Sequence, residues 1–360
     1  MRPLFFAQST EGRRLPVDWG IVTMSEPYDL AVIGAGPAGL AAAVCAAADG
    51  LTTAVIDAYG AGGSSAATPI IQNYPGVAEG VSGAELTRRI YQQAQRLGAS
   101  FALTNPAVGL SVGGNGLVMT LEDGVTISAQ AVVIATGVAY RTLGVPSVDK
   151  LTGAGVIYAD SVAEPAALAG QEVFIVGATA AAGQAALELA KHASNVTLVV
   201  RAGSLDASVP DTVVKQIDRT RNIRVRVNTQ VVEAFGEGRL EGVMLRHRVS
   251  GTTEAARTRA LFVMTGADPN TAWLKGSLLR DGEGFLLTGV DLVLDGRLPD
   301  GWPNGRAPLL LETSVPRVFA AGDVRRGAVR RVSSAIIEGA LGATLVRQVV
   351  RDRVAVISAR

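Results

Sequence analysis

"YDLAVIGAGPAGLAAAVCAAADGLTTAVIDAYG", residues 28–60, decides the fold. It opens on an apolar run from Tyr28 to Ile33, passes through a glycine turn into a helix of small residues, and ends in a second apolar strand closed by Asp57. That order is a βαβ unit. Gly34, Gly36 and Gly39 fill the spacing G-x-G-x-x-G, which serves a tight turn, backbone approach to a pyrophosphate, and close helix-to-strand packing. Asp57 stands about 20 residues past the turn, where a carboxylate accepts hydrogen bonds from a ribose diol. The helix N-terminus then faces the phosphates.

A second unit, "QEVFIVGATAAAGQAALELAKHASNVTLVVR" at 171–201, repeats strand, turn, Ala-rich helix and strand. Gly177 holds its first glycine position, and Ala182 with Gly183 keeps the packing position small. Thr179 replaces the middle glycine. A β-branched side chain there is expected to obstruct the pyrophosphate and weaken nucleotide binding while leaving the fold intact. Arg201 stands where the acid would be, which suits a 2′-phosphate and so NADP over NAD; as a strand-end charge it also suits a plain solvated edge.

Two such units in 360 residues predict an α/β protein of two Rossmann-like, three-layer domains. A formal charge of +1 gives no basic surface for nucleic acid or anionic lipid, which leaves a small-molecule substrate, a redox protein or another copy of the chain as partner. No apolar stretch reaches the length of about 18 residues that spans a bilayer, and a cytoplasmic protein is expected. Residues 1–23 read as an N-terminal tail. The one cysteine, Cys45, lies in an Ala-rich helix and is expected to pack as a small hydrophobe.

The hexapeptide Gly34-Ala35-Gly36-Pro37-Ala38-Gly39, "NYPG" at 73–76, "IATG" at 134–137 and "AAGD" at 320–323 resemble the low-molecular-weight thioredoxin reductases and related FAD-dependent pyridine nucleotide oxidoreductases. The resemblance runs from about residue 26 to 350. It implies an FAD-binding domain made of 24–141 and 268–360, interrupted by an NAD(P)-binding-like domain at 142–267, and a homodimer. By the same resemblance Gly34, Gly36, Pro37, Ala38, Gly39 and Asp57 hold the FAD diphosphate and ribose, with Gly62 and Gly63 beside them. Asn73 lies next to the flavin, Thr136 and Gly137 close over it, and Asp323 after Gly322 bonds the ribityl chain. Arg331, Val332 and Ser333 would point backbone N–H groups at the pyrimidine end of the ring. NADP(H) would use Gly177, Thr179, Ala182 and Arg201.

In such reductases a Cys-x-x-Cys pair follows a Gly-Val-x-Tyr phrase, present here as Gly155, Val156, Ile157 and Tyr158. The cysteine positions are Ala159 and Val162, and the acid that follows is Ala163. Disulfide exchange needs a thiolate, so the expectation is an FAD oxidoreductase that is not a disulfide reductase. Three readings stay open: flavin-mediated oxidation of a small organic substrate with oxygen or another acceptor, taken first; NAD(P)H-dependent reduction of a protein or small-molecule acceptor through FAD; and a flavin-binding protein without turnover. Asp160 is the candidate catalytic base, or else a cap on a surface turn. His192 and His247 have no nucleophile or metal spacing, and no metal site is expected. "GWPNGR", 301–306, reads as a tolerated surface excursion.

Overall fold

A computed structural model describes residues 27–68, 70–113, 116–159, 162, 165–205, 209–293, 295–299, 302–303 and 306–358. Asp160, Ser161, Ala163 and the 1–23 tail lie outside the described residues.

The first βαβ unit forms as read: β1 (Tyr28–Ile33), α1 (Pro37–Ala48) and β2 (Thr53–Asp57). Next come α2 (Gly83–Arg96), β3 (Ser100–Leu103), β4 (Ala107–Gly113), β5 (Gly116–Leu121) and β6 (Thr126–Ile134). Strand order is β3-β2-β1-β6-β5-β4, parallel from β3 to β6 and antiparallel beyond. The chain then leaves through β7 (Val138–Tyr140) and the short helix α3 (Pro146–Lys150).

A second, all-parallel sheet follows, made of β8 (Val156–Tyr158), β9 (Glu172–Val176), β10 (Asn195–Val199), β11 (Ile223–Arg226) and, later, β15 (Ala260–Val263). Its order is β11-β10-β9-β15-β8. Helices α4 (Ala180–Leu189) and α5 (Asp211–Arg219) cover one face. An antiparallel sheet of β12 (Thr229–Phe235), β13 (Gly242–His247) and β14 (Thr253–Arg257) covers the other. Strand β16 (Ala267–Pro269) pairs back with β7, and β17 (Val318–Ala320) returns to the first sheet beside the end of β6. Helix α6 (Val332–Ser358) closes the chain.

The central strands β1, β2, β9 and β15 are buried on both faces, which is why they are apolar runs instead of alternating ones. In β1, Leu30 and Val32 pack toward the helices while Ala31 and Ile33 pack on the opposite face. In β9, Val173 and Ile175 face α4, and Phe174 and Val176 face the antiparallel sheet. Small residues let α6 lie directly on α1: a Cβ at Gly339 would collide with the Ala38 carbonyl.

Within 301–306, Trp302 and Arg306 depart from the expected reading as a surface excursion. Trp302 is buried against Leu287 and Leu292, and its Nε1 donates to the Arg306 carbonyl at 3.0 Å. Arg306 forks onto Glu312 at 2.6 and 2.7 Å, and Leu309 and Arg317 donate backbone N–H groups to the same carboxylate at 3.0 and 2.9 Å. Glu312 is fully buried, so its charge depends on these four donors. Arg306→Ala should therefore cost about 3–5 kcal/mol in urea unfolding, because a buried carboxylate loses its counter-charge. A loss below about 1 kcal/mol would mean that the stretch is an excursion after all.

Candidate functional site

The glycine turn of the first sheet is shaped by approach distances. Gly34 adopts φ +110°, and a Cβ there would strike the Ala135 carbonyl; one at Gly39 would strike the carbonyl of Gly34. Gly34 N–H donates to Ile56 O at 2.7 Å, which seats the turn at the carboxyl edge of β1 and β2. Gly63 lies against this turn, for a Cβ on it would come within 2.9 Å of Gly36 Cα. Gly62 N–H donates to Ala35 O at 2.8 Å. A bare backbone cradle between 34–39 and 62–63 results.

Its electrostatics fit a pyrophosphate. Gly36 caps α1 without any side-chain acceptor, and Pro37 in the first turn has no N–H. Leu40 is the first residue whose N–H closes a bond, to Gly36 O at 2.9 Å. The N–H groups of Ala38 and Gly39, both buried, meet no acceptor among the described residues and await one from a ligand. Negative charge placed there gains about 0.3–1 kcal/mol from the helix dipole, and up to ~2 when partly buried.

Asp57 does more than the sequence assigned to it. Its Oδ2 accepts Ala35 N–H at 2.7 Å, and its Oδ1 accepts Tyr59 and Gly60 N–H at 2.8 Å each. A carboxylate offers about four lone-pair sites, so one is left for a ribose hydroxyl.

On the other side of the turn, Gly322 packs against Ala38 and donates its N–H to Glu338 Oε2 at 2.7 Å. Glu338 is forked by Arg325, with the closer contact at 2.7 Å. Beside them Asp323, Tyr140 and Arg330 converge. Burial, and then the Glu338 charge, push the Asp323 carboxyl up to about 6. Burial, and then Asp323, push the Tyr140 phenol up to about 12 against the opposing pull of Arg330. Arg330 stacks on Phe285, 4.8 Å from the ring centroid. Sequence reading missed Tyr140, Arg325, Arg330 and Glu338, since none belongs to a motif and all come together only through the fold.

Other expected residues are placed less simply. Thr136 Oγ1 donates to Asn270 O at 2.9 Å, Asn270 Nδ2 donates to Thr136 O at 2.8 Å, and Asn270 N–H donates to Gly137 O at 3.0 Å. Thr136 and Gly137 thus lace the chain leaving the first sheet to the chain returning to it. Arg331 N–H is spent on Val329 O at 2.8 Å, which leaves Val332 and Ser333 among the open donors of α6. Asn73 is exposed in the turn that follows Ile71.

In the second turn Thr179 has local partners. Its side chain folds inward as the N-cap of α4: Oγ1 accepts Ala182 N–H at 3.1 Å and reaches Met264 O at 3.3 Å. Its hydroxyl is thus engaged at the helix end, and Ala180 and Ala181 N–H remain without acceptors among the described residues. Gly177 N–H donates to Val199 O at 3.1 Å, the counterpart of the Gly34 bond. Ala182 is fully buried, and Arg201 is exposed just past β10.

Ala159 and Val162 pack into the core under the second sheet, and Tyr158 donates to Asp149 Oδ1 at 2.7 Å. Cys45 is half-buried, and burial together with Asp49 pushes its thiol up. His192 is exposed beyond α4, and the His247 ring shares a 2.9 Å hydrogen bond with Ser250 in a hairpin turn. No cluster of three or more metal-binding side chains exists among the described residues, and none of their helices is long and apolar enough to cross a membrane.

A family model described as pyridine nucleotide-disulphide oxidoreductase matches residues 28–339. The chain is 32% identical over 327 residues to a thioredoxin reductase of Peptoclostridium acidaminophilum, covering 89% of this chain and 96% of that one. It is 30% identical over 328 residues to a thioredoxin reductase of Bacillus subtilis, covering 90% and 95%. The crystal structure of thioredoxin reductase from Streptococcus pyogenes matches it with a TM-score of 0.80 at 28% identity, over 90% of this chain and 98% of that one. These relatives overturn the expectation that the chain is not a disulfide reductase: proteins about 30% identical along most of its length carry that name. Substitution at two positions was too narrow a ground for excluding the class.

Two measurements probe the first turn. Asp57→Asn should lower thermal stability and weaken retention of an adenine dinucleotide, since Ala35, Tyr59 and Gly60 would lose charge-assisted acceptors worth about 1.5–3 kcal/mol each at most; calorimetry with and without added dinucleotide reads both effects. Asp323 gives a pH signature. Its folded pKa of about 6 exceeds the ordinary value of about 3.9, so between those values the folded chain holds a proton that the unfolded chain releases. The group lowers stability as pH rises through that window, and Asp323→Asn should raise Tm more at pH 8 than at pH 5.

Proposed function

Because this chain belongs to the pyridine nucleotide-disulphide oxidoreductase family, we propose that it is a flavoenzyme that passes electrons from NAD(P)H through FAD to the disulfide of an external acceptor, a small redox protein or a small molecule. The reading is carried by one observation: two glycine turns, bonded alike, each presenting unsatisfied N–H groups at a helix N-terminus on the carboxyl edge of a parallel sheet. On this proposal residues 24–141 and 268–360 form the FAD-binding domain, and 142–267 the nicotinamide nucleotide domain.

FAD, when bound, would supply two-electron acceptance and release at a ring that the protein orients and tunes. The chain's own residues would do the rest. Ala38 and Gly39 N–H would hold the pyrophosphate, and the free lone pair of Asp57 the adenosine ribose. Asp323 would accept a hydrogen bond from the ribityl chain, and the Val332 and Ser333 N–H groups would favour negative charge on the reduced ring. Ala180 and Ala181 N–H would hold the nicotinamide nucleotide's pyrophosphate.

The sequence contains one cysteine, so a disulfide reduced here is the acceptor's own. The balance is NAD(P)H, a proton and one disulfide giving NAD(P)⁺ and two thiols. Oxidation of a small organic substrate, the first of the expectations, is the weaker reading, because the relatives are named as reductases.

The test is anaerobic. NADPH should bleach the bound yellow flavin, and an added disulfide, either oxidised thioredoxin or 5,5′-dithiobis(2-nitrobenzoate), should restore the colour with two thiols released per NADPH. Cys45→Ser should turn over as the parent does. A flavin that neither NADPH nor NADH bleaches would refute the donor. One reoxidised by quinones but by no disulfide would refute the acceptor.

A further inference from the structure

Past β10 the chain turns through 200–203, and this turn is stitched from behind by two other segments. Val200 N–H donates to Arg226 O and Thr229 N–H to Val200 O, both at 2.9 Å. Asn228 N–H donates to Ala202 O at 2.8 Å, and Arg248 N–H to Asn228 O at 2.6 Å. The Arg248 side chain then crosses over, and its Nη1 donates to the Arg201 carbonyl at 3.0 Å. The Arg248 guanidinium is thereby held against the backbone of Arg201, 47 residues away in sequence.

Neither has a carboxylate within salt-bridge distance among the described residues, and both are exposed. Nearby Arg226 differs, being neutralised by Glu254 at 2.6 Å. The pair stands two residues beyond Val199, whose carbonyl accepts the Gly177 N–H, and so at the strand end beside the second glycine turn. In a βαβ nucleotide fold that position meets the adenosine ribose, where an acid selects a free 2′-hydroxyl and a cation a 2′-phosphate. A lone exposed arginine there would be loosely oriented. Arg248 instead has one donor of its planar fork tied to backbone, which fixes the plane of those that remain for phosphate oxygens.

We propose that Arg248, carried on the turn between β13 and β14, is a specificity-determining residue that joins Arg201 in binding the 2′-phosphate of NADP(H), and that the pair makes the chain prefer NADP(H) to NAD(H). The proposal rests on the reading of the second glycine turn as a nicotinamide nucleotide site. It adds a residue from outside the βαβ unit, which no fingerprint contains.

The test is calorimetric titration of the flavin-loaded protein with 2′,5′-ADP and with 5′-AMP, which differ only in the 2′-phosphate. The parent should bind 2′,5′-ADP about tenfold or more tighter than 5′-AMP, in keeping with one or more charge-assisted hydrogen bonds. Arg248→Ala should remove most of that ratio and leave 5′-AMP affinity in place. Arg248→Lys should restore part of it, because a point charge returns without the fork. Arg226→Ala, which removes a paired cation from the same end of the sheet, should keep the parental ratio. A ratio unchanged in Arg248→Ala, or equal losses for both ligands, would overturn the proposal while leaving the nucleotide site standing. A parent that binds neither adenylate would overturn the nucleotide site and this proposal with it.

Discussion

The Asp57 carboxylate is the contact on which the first half of the structure depends. A glycine turn is backbone with little to hold it: glycines are needed for the close approaches, and glycines carry the largest conformational entropy. Asp57 at the end of β2 offsets that freedom by binding Ala35 N–H across the strand and Tyr59 and Gly60 N–H behind it. The turn, the strand end and the next loop then share one charge. With Ala35 fixed, the gap between Gly36 and Gly63 keeps its width, and Ala38 and Gly39 N–H keep their direction. Helix α6 adds the second constraint, since its contact with Ala38 through Gly339 leaves no room for α1 to shift.

The second turn solves the same problem with a different group. No acid follows β10, and Thr179 does the pinning: its hydroxyl accepts from Ala182 N–H while reaching the Met264 carbonyl on the neighbouring strand. A neutral hydroxyl holds more weakly than a carboxylate, but it brings no negative charge to the cleft. The two turns are thus alike in backbone and opposite in the charge carried at the strand end, with Asp57 in one and Arg201 and Arg248 in the other. An acid that accepts ribose hydroxyls would repel a 2′-phosphate, and a pair of guanidiniums gains little from a bare diol. On the proposed reading, one chain would in this way keep two similar dinucleotides apart.

Elements whose pattern is local were legible in the sequence. Strands β1, β2, β9 and β10 and helices α1 and α4 follow from apolar runs and glycine spacing, and the fold class follows from them. Residues whose role depends on a distant partner were not. The capping role of Thr179 was not visible because its side chain also reaches Met264, 85 residues away. Asn270 gave no signal, since its reciprocal bonds with Thr136 span 134 residues. Trp302 and Arg306 looked like loop chemistry, and only the burial of Glu312 explains them. Tyr140 and Glu338 meet Asp323 from separate elements, and Arg330 acts on Tyr140. Arg248 sits in a hairpin turn of exposed polar residues, where sequence offers no reason to prefer it to Arg246.

The packing of Ala159 and Val162 bears on how a disulfide would be handled. A relay dithiol must be reached from the flavin side in one step and from the acceptor side in the next, so its sulfurs have to come out of the core. Val162 is 9% exposed and belongs to the same core cluster as Ile175 and Leu198 beneath the second sheet. A thiol at that depth would be desolvated and kept protonated, which is the wrong state for exchange. On the proposed reading, the demand for access passes to the acceptor, whose disulfide must reach the flavin itself. Selectivity would then be decided at the flavin, and no longer by a thiol pair offered at the surface.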